Sequence, residues 1–537
     1  MPSQPLAVVL PTRSRYSTEA DVQVEIRAAG PGQLVLRHLG AVAVTVDVVG
    51  PGTVSLGTLP AGGYGLDLEA PDGTTAARTA VLVSDEPRAR MRYGFVASYA
   101  PDKDVAAVVE LARRLHLDAV QLYDWAYRHA DLLGGGETYT DPLGQQISLE
   151  TVRRLSAGLA EVGTDALGYA AVYGVGHDEW PAWSHRALLR SDGEPWALGN
   201  FLRLVDPAAP DWQEHFIGDL RAAAEAVGLA GFHLDQYGYP RRAGLVGGGY
   251  VDLGMSFRSL IEAARTELPD ARLVFNNVND FDTPATADAP QDAVYIEVWP
   301  PHTTLGSLAR LVERAHAAGG TRPVVIAAYQ HVYATAPAPE ADLATSFTMA
   351  TLFSHGATQL LAGESGHLLV DPYYVRNHTA EPETLALLQR WYDFLVEHDE
   401  LLMSPDAVDV SGPWVGAFNE ALDVTFEAVP TTDDPTPGGV WRRVVQVGEL
   451  LVVHLINLAG QTDSEWDAPR AVPIDPGAGT LRVKRAGSAV PVVRVADPDR
   501  GGHLREVAVE LDGDDAVAAL PSPHVWQIVA IDLRGRQ

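Results

Sequence analysis

The sequence predicts a multidomain protein in which a central (β/α)8 TIM barrel is flanked by N-terminal and C-terminal β-sandwich domains. Three observations support this prediction. The chain has 537 residues, which is more than one ordinary domain holds. Short apolar strands alternate with helical patterns between about residues 90 and 400, and strand patterns without helices occupy both ends.

The two ends of the chain carry strand patterns that are punctuated by turns. Residues 1–88 contain VQVEIRA, QLVLRHL and AVTVDVV, separated by turn sequences such as PAGGY and PDGT, and predict an Ig-like β-sandwich. Residues 406–537 contain VVQVGELLVVHLINLAG, TLRVKRA and HVWQIVAIDL, which predict a second β-sandwich.

The segment between them, residues 89–405, alternates strands with helices as a catalytic barrel would. The predicted strands are 93–99, 118–125, 165–174, 231–238, 272–279, 292–299, 322–330 and 358–364. Predicted helices include 103–117, 148–163, 212–228, 307–319, 341–356 and 382–400. The connection 280–291 is short and rich in Asp, Pro and Ala, so we expect no full helix there.

An open doubly wound sheet is the rival fold. A nucleotide-binding sheet of that type has a Gly-rich turn directly after its first strand. The first predicted strand here continues as APDKD, and the glycines of GLVGGGY (244–250) do not follow a strand directly. The pattern therefore favours the barrel.

Composition restricts the classes of partner. The formal net charge of −31 argues against nucleic acid and anionic membranes, and suits a neutral oligosaccharide or polysaccharide. There are no cysteines, so thiolate chemistry and Cys-ligated metals are excluded. No apolar run reaches the roughly 20 residues of a membrane helix. The oligomeric state stays open.

The N-terminal sequence MPSQPLAVVLPTRSR has only a short apolar run and no basic segment before it. Such a sequence does not resemble a secretory signal, and it favours a cytoplasmic location. A secreted protein whose signal had been trimmed would look the same.

The ends of the predicted barrel strands carry the candidate site, because side chains at these ends face the active site of such a barrel. The set is rich in carboxylates, amides and aromatic rings and almost lacks Lys and Arg, which suits neutral sugars. The substrate-binding candidates are Tyr123, Asp124, Trp125, Tyr173, Gln236, Tyr237, Asn277, Asn279, Trp299, Tyr329 and Glu364.

Two acids on alternate strands are the catalytic candidates. Asp235 ends the fourth predicted strand and Glu297 ends the sixth, so both should overhang one cleft. Glycoside hydrolysis needs two carboxyl groups, and a retaining enzyme holds them about 5–5.5 Å apart. Tyr295 and Trp299 flank Glu297 and can raise its pKa, as a general acid requires. The alternative for either acid alone is a helix cap or a salt bridge.

Other residues could share these roles or serve only the fold. Asp124 and Glu364 are competing carboxylates that could bind sugar hydroxyls. The insertion 175–211 contains Trp180, Trp183 and Trp196, which form either a stacking wall for substrate, with Trp196 as the binding candidate, or a loop packed by its own aromatic rings. The histidines lack metal-ligand spacing, so we expect neither a metal nor a cofactor.

Six segments along the barrel resemble glycoside hydrolase family 66, the dextranases and cycloisomaltooligosaccharide glucanotransferases. They follow the order of that family and are GFVASY (94–99), QLYDWAYRH (121–129), GFHLDQYG (231–238), FNNVN (275–279), YIEVW (295–299) and LLAGESGHLLVDPYYVRN (360–377). The β-sandwich, barrel, β-sandwich order is similar as well.

The resemblance implies that Asp235 is the nucleophile and Glu297 the general acid/base of a retaining enzyme that cleaves α-1,6-glucosidic bonds of dextran or isomaltooligosaccharides. The sequence around Asp235 departs from the Trp- and Gly-rich turn of the family, which leaves the linkage open. No β-rich insertion of the glucanotransferase type is visible, so hydrolysis is favoured. The alternatives are a transglycosylase, a glycosidase for another α-glucan linkage and a sugar-binding protein without activity.

Overall fold

The computed structural model describes residues 7–536 except residues 29, 417, 418 and 486. Its central sheet contains eight parallel strands from the segment predicted as a barrel. They are β1 Tyr93–Val96, β2 Ala119–Leu122, β3 Asp165–Ala171, β4 Gly231–Asp235, β5 Arg272–Asn276, β6 Ala293–Glu297, β7 Val324–Ala327 and β8, which comprises Ala357–Gln359 and Ala362–Gly363. Two short antiparallel strands, His367–Leu368 and His378–Thr379, extend the sheet to eleven strands.

The sheet curls until its first and last parallel strands meet. The first part of β8 pairs with β7, and Gly363 in its second part pairs with Phe95 of β1. A Cβ atom on Gly363 would lie within van der Waals overlap of the Phe95 carbonyl, so glycine permits this approach. The arrangement is consistent with a TIM-like core, in which the carboxyl ends of the strands form the functional face.

Helices separate most of the strands and bury their apolar faces against the sheet. The long ones are α1 Val105–Arg114, α2 Leu149–Glu161, α3 Pro210–Val227, α4 Leu253–Glu267, α5 Leu305–Gly319, α6 Ala338–Ser354 and α7 Pro382–Glu397. Between β5 and β6 the described chain forms two short turns of helix, Val278–Asp280 and Thr283–Thr286, and no full helix, as the Pro-rich connection predicts. Short turns of helix also occupy Trp180–Trp183, Val332–Thr335, Asp399–Leu402 and Ser411–Trp414.

The loops at the carboxyl ends carry small sheets of their own. A hairpin, Thr138–Thr140 with Gln146–Ser148, follows β2. The long insertion after β3 forms Gly174–Gly176, Leu188–Leu189, Ala197–Leu198 and Leu202–Leu204, and the loop after β4 forms Arg242–Leu245 and Tyr250–Asp252. The strand Leu188–Leu189 pairs with Arg242–Leu245, so these two insertions support one another beside the fourth strand.

The N-terminal segment consists of two antiparallel sheets that share one apolar core. Their strands are Val8–Pro11, Gln23–Arg27 and Gly52–Ser55 in one sheet, and Gly32–His38, Ala41–Val48, Gly62–Glu69 and Thr75–Val83 in the other.

The C-terminal segment also contains two main sheets around a core of its own. One comprises Val408–Asp409, Thr431–Thr432, Val440–Val447, Leu450–Asn457, Val490–Ala496, Arg505–Val507 and Trp526–Arg536, and the other Leu422–Phe426, Gly479–Lys484, Val509–Asp512 and Asp515–Leu520. Val415–Gly416 and Asn419–Glu420 form a separate pair. The interpretation of both segments as β-sandwich domains, with limits at 88/89 and 405/406, stays a prediction.

Among the described residues, the helices all fall short of the length and hydropathy that crossing a membrane requires.

Candidate active site

A cavity of about 510 Å³ opens at the carboxyl ends of the central strands. Its wall includes residues from the ends of β2 to β6, from the segment after β7 and from the loop after β8. Nine of the residues singled out from the sequence lie in it, namely Tyr123, Asp124, Asp235, Gln236, Tyr237, Asn279, Glu297, Trp299 and Tyr329.

Asp235 and Glu297 face this cavity from β4 and β6 and share a hydrogen-bond donor. The amide nitrogen of Asn276, at the end of β5 between them, donates to Asp235 Oδ1 at 2.7 Å and to Glu297 Oε2 at 2.9 Å. The two inner carboxylate oxygens are therefore no farther apart than these two distances together. The outer oxygens accept from tyrosines, Tyr169 to Asp235 Oδ2 at 2.7 Å and Tyr329 to Glu297 Oε1 at 3.0 Å.

Burial raises the pKa of both acids, because a desolvated carboxylate has lost the hydration that stabilises its charge. The pKa of Asp235 rises to about 6 through burial, against which the hydrogen bonds from Asn276 and Tyr169 act. The pKa of Glu297 rises to about 7 through burial and, in addition, the neighbouring charge of Asp235. No lysine or arginine makes an ion pair with either acid among the pairs the structure describes. Asp235 is therefore the more easily ionised acid of the pair, and Glu297 retains its proton to higher pH.

Asp124 lies in the same cavity, at the end of β2. Burial, with the nearby charges of Asp141 and Asp235, raises the pKa of its carboxyl group to about 8. A carboxylic acid that stays neutral near pH 7 can donate a hydrogen bond to a hydroxyl oxygen as well as accept one.

Aromatic rings form much of the remaining wall. Tyr374, from the loop after β8, stacks on Tyr123 with ring centroids 4.3 Å apart. Trp299 meets Tyr329 edge-to-face at 6.2 Å and keeps 36% of its surface exposed. Rings of this kind present apolar faces to the C–H faces of a sugar, while their polar tips bind hydroxyl groups. Arg241 supplies a cation at the rim, where its guanidinium lies over the ring of Phe281.

Gln236 and Asn279 line the cavity but use their amides to fix its loops. Gln236 donates to the backbone carbonyls of Asn276 and Phe281, which holds the turn after β5 against β4. Asn279 donates to the Pro300 carbonyl and accepts from the backbone amide of Trp299 at 3.3 Å. Asn279 thereby connects the loop after β5 with the segment that carries Trp299.

Five of the predicted substrate contacts lie outside the cavity wall. Trp125 is fully buried in the core and Asn277 donates to the Tyr295 carbonyl while it accepts from Thr286. The Tyr173 hydroxyl donates to the Tyr239 carbonyl and its ring stacks on Tyr237. Trp196 packs near Tyr239. Glu364 accepts from the backbone amide of Ala97 and pairs with Lys103, so it fastens β8 to β1. These side chains support the wall rather than form it.

Three residues of the site were missed by sequence reasoning: Asn276, Tyr169 and Tyr374. Tyr169 interrupts the apolar run of β3 two residues before that strand ends, which is a signal that alternation could have revealed. Asn276 precedes Asn277 directly, and the predicted strand places Asn277 on the cavity side. Tyr374 belongs to a loop, where periodicity gives no guidance.

Comparison with known proteins places the chain in a family. Residues 46–530 match the profile of Glycosyl hydrolase family 66. A cycloisomaltooligosaccharide glucanotransferase of Niallia circulans is 26% identical over 55% of this chain and 33% of its own length. A dextranase of Streptococcus salivarius is 22% identical over 85% of this chain and 65% of its own. The chain thus matches less than two thirds of the length of each of these relatives.

Solved structures share the fold. The crystal structure of the Paenibacillus sp. cycloisomaltooligosaccharide glucanotransferase complexed with cycloisomaltoheptaose superposes with a TM-score of 0.87 at 19% identity, over 98% of this chain and 100% of that chain. An α-amylase from Geobacillus thermoleovorans, complexed with acarbose, superposes with a TM-score of 0.54 at 11% identity, over 83% of this chain and 99% of that chain. Because the family profile extends over most of the sequence, the chain belongs to glycosyl hydrolase family 66.

Proposed function

We propose that the protein is a retaining glycoside hydrolase that cleaves α-1,6-glucosidic bonds of dextran or isomaltooligosaccharides, with Asp235 as nucleophile and Glu297 as general acid/base. One observation carries this proposal: a single amide nitrogen, that of Asn276, lies within hydrogen-bond distance of both carboxylates. Retaining enzymes hold their two carboxyl groups about 5–5.5 Å apart, whereas inverting enzymes need about 6.5–9.5 Å to admit a water molecule. A shared donor favours the shorter spacing.

The difference in pKa supports the assignment of roles. A nucleophile must be ionised, and Asp235, with a pKa of about 6, is the acid that ionises first. A general acid must carry a proton near neutral pH, and Glu297, with a pKa of about 7, does so. Cleavage of a glycosidic bond near neutral pH is therefore within reach of this pair.

The first step forms a covalent intermediate. A carboxylate oxygen of Asp235 attacks the anomeric carbon as the bond from that carbon to the leaving oxygen breaks, and Glu297 transfers its proton to the leaving oxygen. The Asp235–glycosyl ester and a shortened glucan result.

The second step releases the sugar. Glu297, now ionised, takes a proton from a water molecule, whose oxygen attacks the anomeric carbon and breaks the ester to Asp235. Two inversions restore the original anomeric configuration. A sugar hydroxyl in place of water would give a longer or cyclic glucan by the same steps, which is the transglycosylase alternative.

The names of the relatives support an α-glucan substrate, since they include a dextranase and glucanotransferases for cyclic isomaltooligosaccharides. The cavity itself has aromatic faces, amides and buried acids, which suit an uncharged sugar.

The proposal is tested with Asp235→Asn and Glu297→Gln on dextran and isomaltooligosaccharides, with reducing ends and cyclic products measured by chromatography. We expect each variant to lose at least about a thousandfold in turnover, since each removes a group that acts in the transition state. Asp342→Asn is the matched control, because Asp342 is a partly buried acid outside the cavity whose pKa burial also raises.

Retention is measured separately. Proton NMR of the first product is expected to show the α-anomer, and a slow fluorinated glucosyl substrate is expected to leave a sugar attached to Asp235 in a peptide digest. A β-anomeric first product would contradict the retaining mechanism, and full activity in either acid variant would contradict the assignment. A wild-type protein that binds dextran without forming products would be a sugar-binding protein.

A further inference from the structure

Asn276 occupies a position between the two candidate catalytic acids that nothing in the family assignment explains. We infer that Asn276 is a positioning residue which sets the separation of Asp235 and Glu297 by donating one amide hydrogen to each. The role in turnover rests on the proposed function, whereas the role in holding the carboxyl groups does not.

The geometry uses both hydrogens of the amide. A primary amide nitrogen has two hydrogens that point in different directions, and here one reaches each carboxylate, at 2.7 Å and 2.9 Å. Because the side chain is 3% exposed, few other hydrogen-bond partners compete for these hydrogens. The amide therefore connects the acids of β4 and β6 from β5, the strand that lies between them.

The orientation of the amide follows from its partners. With the nitrogen and oxygen exchanged, Asn276 Oδ1 would face two carboxylate oxygens, and such acceptors repel one another. In the orientation described, Oδ1 is buried without a hydrogen-bond partner among the described residues. A lone buried acceptor is unfavourable, which indicates that the contacts to the two acids outweigh its cost.

Each carboxylate then has one donor that it shares with the other acid and further donors of its own, which include the backbone of Gln236 at Asp235 and the side chain of Trp299 at Glu297. Asn276 binds the inner oxygens, while Tyr169 binds the outer oxygen of Asp235 and Tyr329 that of Glu297. The tyrosines reach one acid each, and so they cannot set the distance between the two. Only Asn276, of the donors described at this pair, contacts both.

The Asn276 amide also affects the protonation of Asp235 and Glu297, because a hydrogen-bond donor stabilises the ionised form of an acid and lowers its pKa. Loss of the amide is therefore expected to raise the pKa of both acids together. The other titratable or charged groups of the site are Tyr123, Asp124, His129, Tyr169, His233, Tyr237, Arg241, Tyr329, Tyr373 and Tyr374 on the cavity wall, and the buried Tyr93 and Tyr295.

The test compares Asn276→Ala and Asn276→Leu with the wild-type protein. Asn276→Leu keeps the approximate size of the side chain while it removes the amide hydrogens and adds no charge, so it remains informative where the alanine variant fails to fold. We expect kcat to fall about a hundredfold in each, the cost of misplacing reacting groups by about 1 Å. Both limbs of the pH profile of kcat/KM on isomaltooligosaccharides are expected to move to higher pH.

Asn277→Ala is the matched control. Asn277 is also a buried asparagine at the end of β5, but its amide binds a backbone carbonyl and its oxygen a threonine. We expect Asn277→Ala to lower the melting temperature without moving the pH profile. An equal shift of the pH profile in Asn276→Ala and Asn277→Ala would assign Asn276 a purely structural role.

A second measurement separates this inference from the proposed function. Infrared difference spectra against pH, on protein without substrate, follow the protonation of buried carboxyl groups, and the bands that vanish in Asp235→Asn and Glu297→Gln identify the two acids. Their midpoints are expected to rise in both Asn276 variants even where the wild-type protein cleaves no glucan. Unchanged midpoints and an unchanged pH profile would overturn the inference.

Discussion

Two buried pairs of acids in this molecule have pKa values that are shifted in opposite directions. In the active site, burial raises the pKa of Asp235 and Glu297, and neutral donors surround them. Asp67 and Glu397 are buried as well, at 3% and 2% exposure, yet the pKa of Asp67 falls to about 2 and that of Glu397 is also lowered. The difference lies in the partners.

The second pair of acids meets at a junction of three segments, which we call the His503 junction. The imidazole of His503, in the C-terminal segment, contacts Asp67 of the N-terminal strand Gly62–Glu69 and Glu397 at the end of α7, each at 2.6 Å. Arg78 adds a second cation at 2.8 Å from Asp67. Burial lowers the pKa of His503, but hydrogen bonds to the two acids outweigh it and the pKa rises overall.

The comparison shows that burial alone does not determine the charge of an acid. A buried carboxylate beside a cation stays ionised and holds segments together, while one beside neutral donors keeps its proton longer. The active site therefore keeps acids whose charge is disfavoured by burial, whereas cations at the His503 junction offset the same cost of desolvation. Three predictions test this contrast, beginning with the largest expected effect.

His503→Ala leaves two acids buried, with Arg78 and Arg37 as cations beside Asp67. We expect the free energy of unfolding to fall by about 3–5 kcal/mol, the range for breaking a buried ion pair. Urea unfolding followed by near-ultraviolet circular dichroism and fluorescence measures this, with each transition fitted separately because the chain has several cores.

His524→Ala is the control for that variant. His524 also pairs with an acid of the C-terminal segment, Asp499 at 3.2 Å, but its imidazole is 38% exposed. We expect a loss of about 1 kcal/mol or less, as for exposed ion pairs. Equal losses in the two variants would show that the His503 junction is not a buried ion-pair network.

Replacement of glutamate by glutamine is expected to change the free energy of unfolding in opposite directions in the two regions. Glu397→Gln removes a partner of His503 and should destabilise the protein by about 2 kcal/mol, since an amide acceptor remains. Glu297→Gln removes a carboxylate that burial disfavours, and each unit by which the pKa of Glu297 is raised corresponds to about 1.36 kcal/mol. Because the amide makes weaker hydrogen bonds than the carboxylate, we expect a net stabilisation of about 1 kcal/mol at pH 8. Urea midpoints at pH 8 measure both, and equal signs would refute the contrast.

The sequence predicted one of these regions and not the other, for a physical reason. Asp235 and Glu297 end apolar strands on alternate βα units, so a local pattern marks them and topology brings them together. The His503 junction joins a loop to a strand and to a helix end that are 436 and 106 positions away, and no periodicity signals such a contact.

Asn276 shows how a small error in a strand changes the predicted site. The fifth strand was predicted to reach residue 279, which places Asn277 and Asn279 on the cavity side. In the structure β5 ends at Asn276 and the chain turns into a short helix at Val278–Asp280. Because strand side chains alternate, an error of one position turns every side chain to the other face. The predicted amide was the right chemical group on the wrong residue.

The two regions are also expected to differ in how stability depends on pH. The pKa of Glu297 is raised in the folded protein, so the unfolded chain loses its proton first, and wild-type stability falls as pH rises through about 7. The stability of Glu297→Gln relative to the wild-type protein should therefore rise, by about 2.5 kcal/mol between pH 5 and pH 8, at about 1.36 kcal/mol per pKa unit. His503 also has a raised pKa, and its stabilising effect is complete below about pH 6.5 and lost as pH rises through the folded value.

The cost of His503→Ala should accordingly shrink between pH 6 and pH 9, while the gain from Glu297→Gln persists. Urea midpoints of the wild-type protein and both variants across this range separate the two regions. A wild-type protein whose stability is independent of pH from 5 to 9 would mean that neither region titrates there. The contrast between neutral donors around one pair of acids and cations around the other would then not explain their charge states.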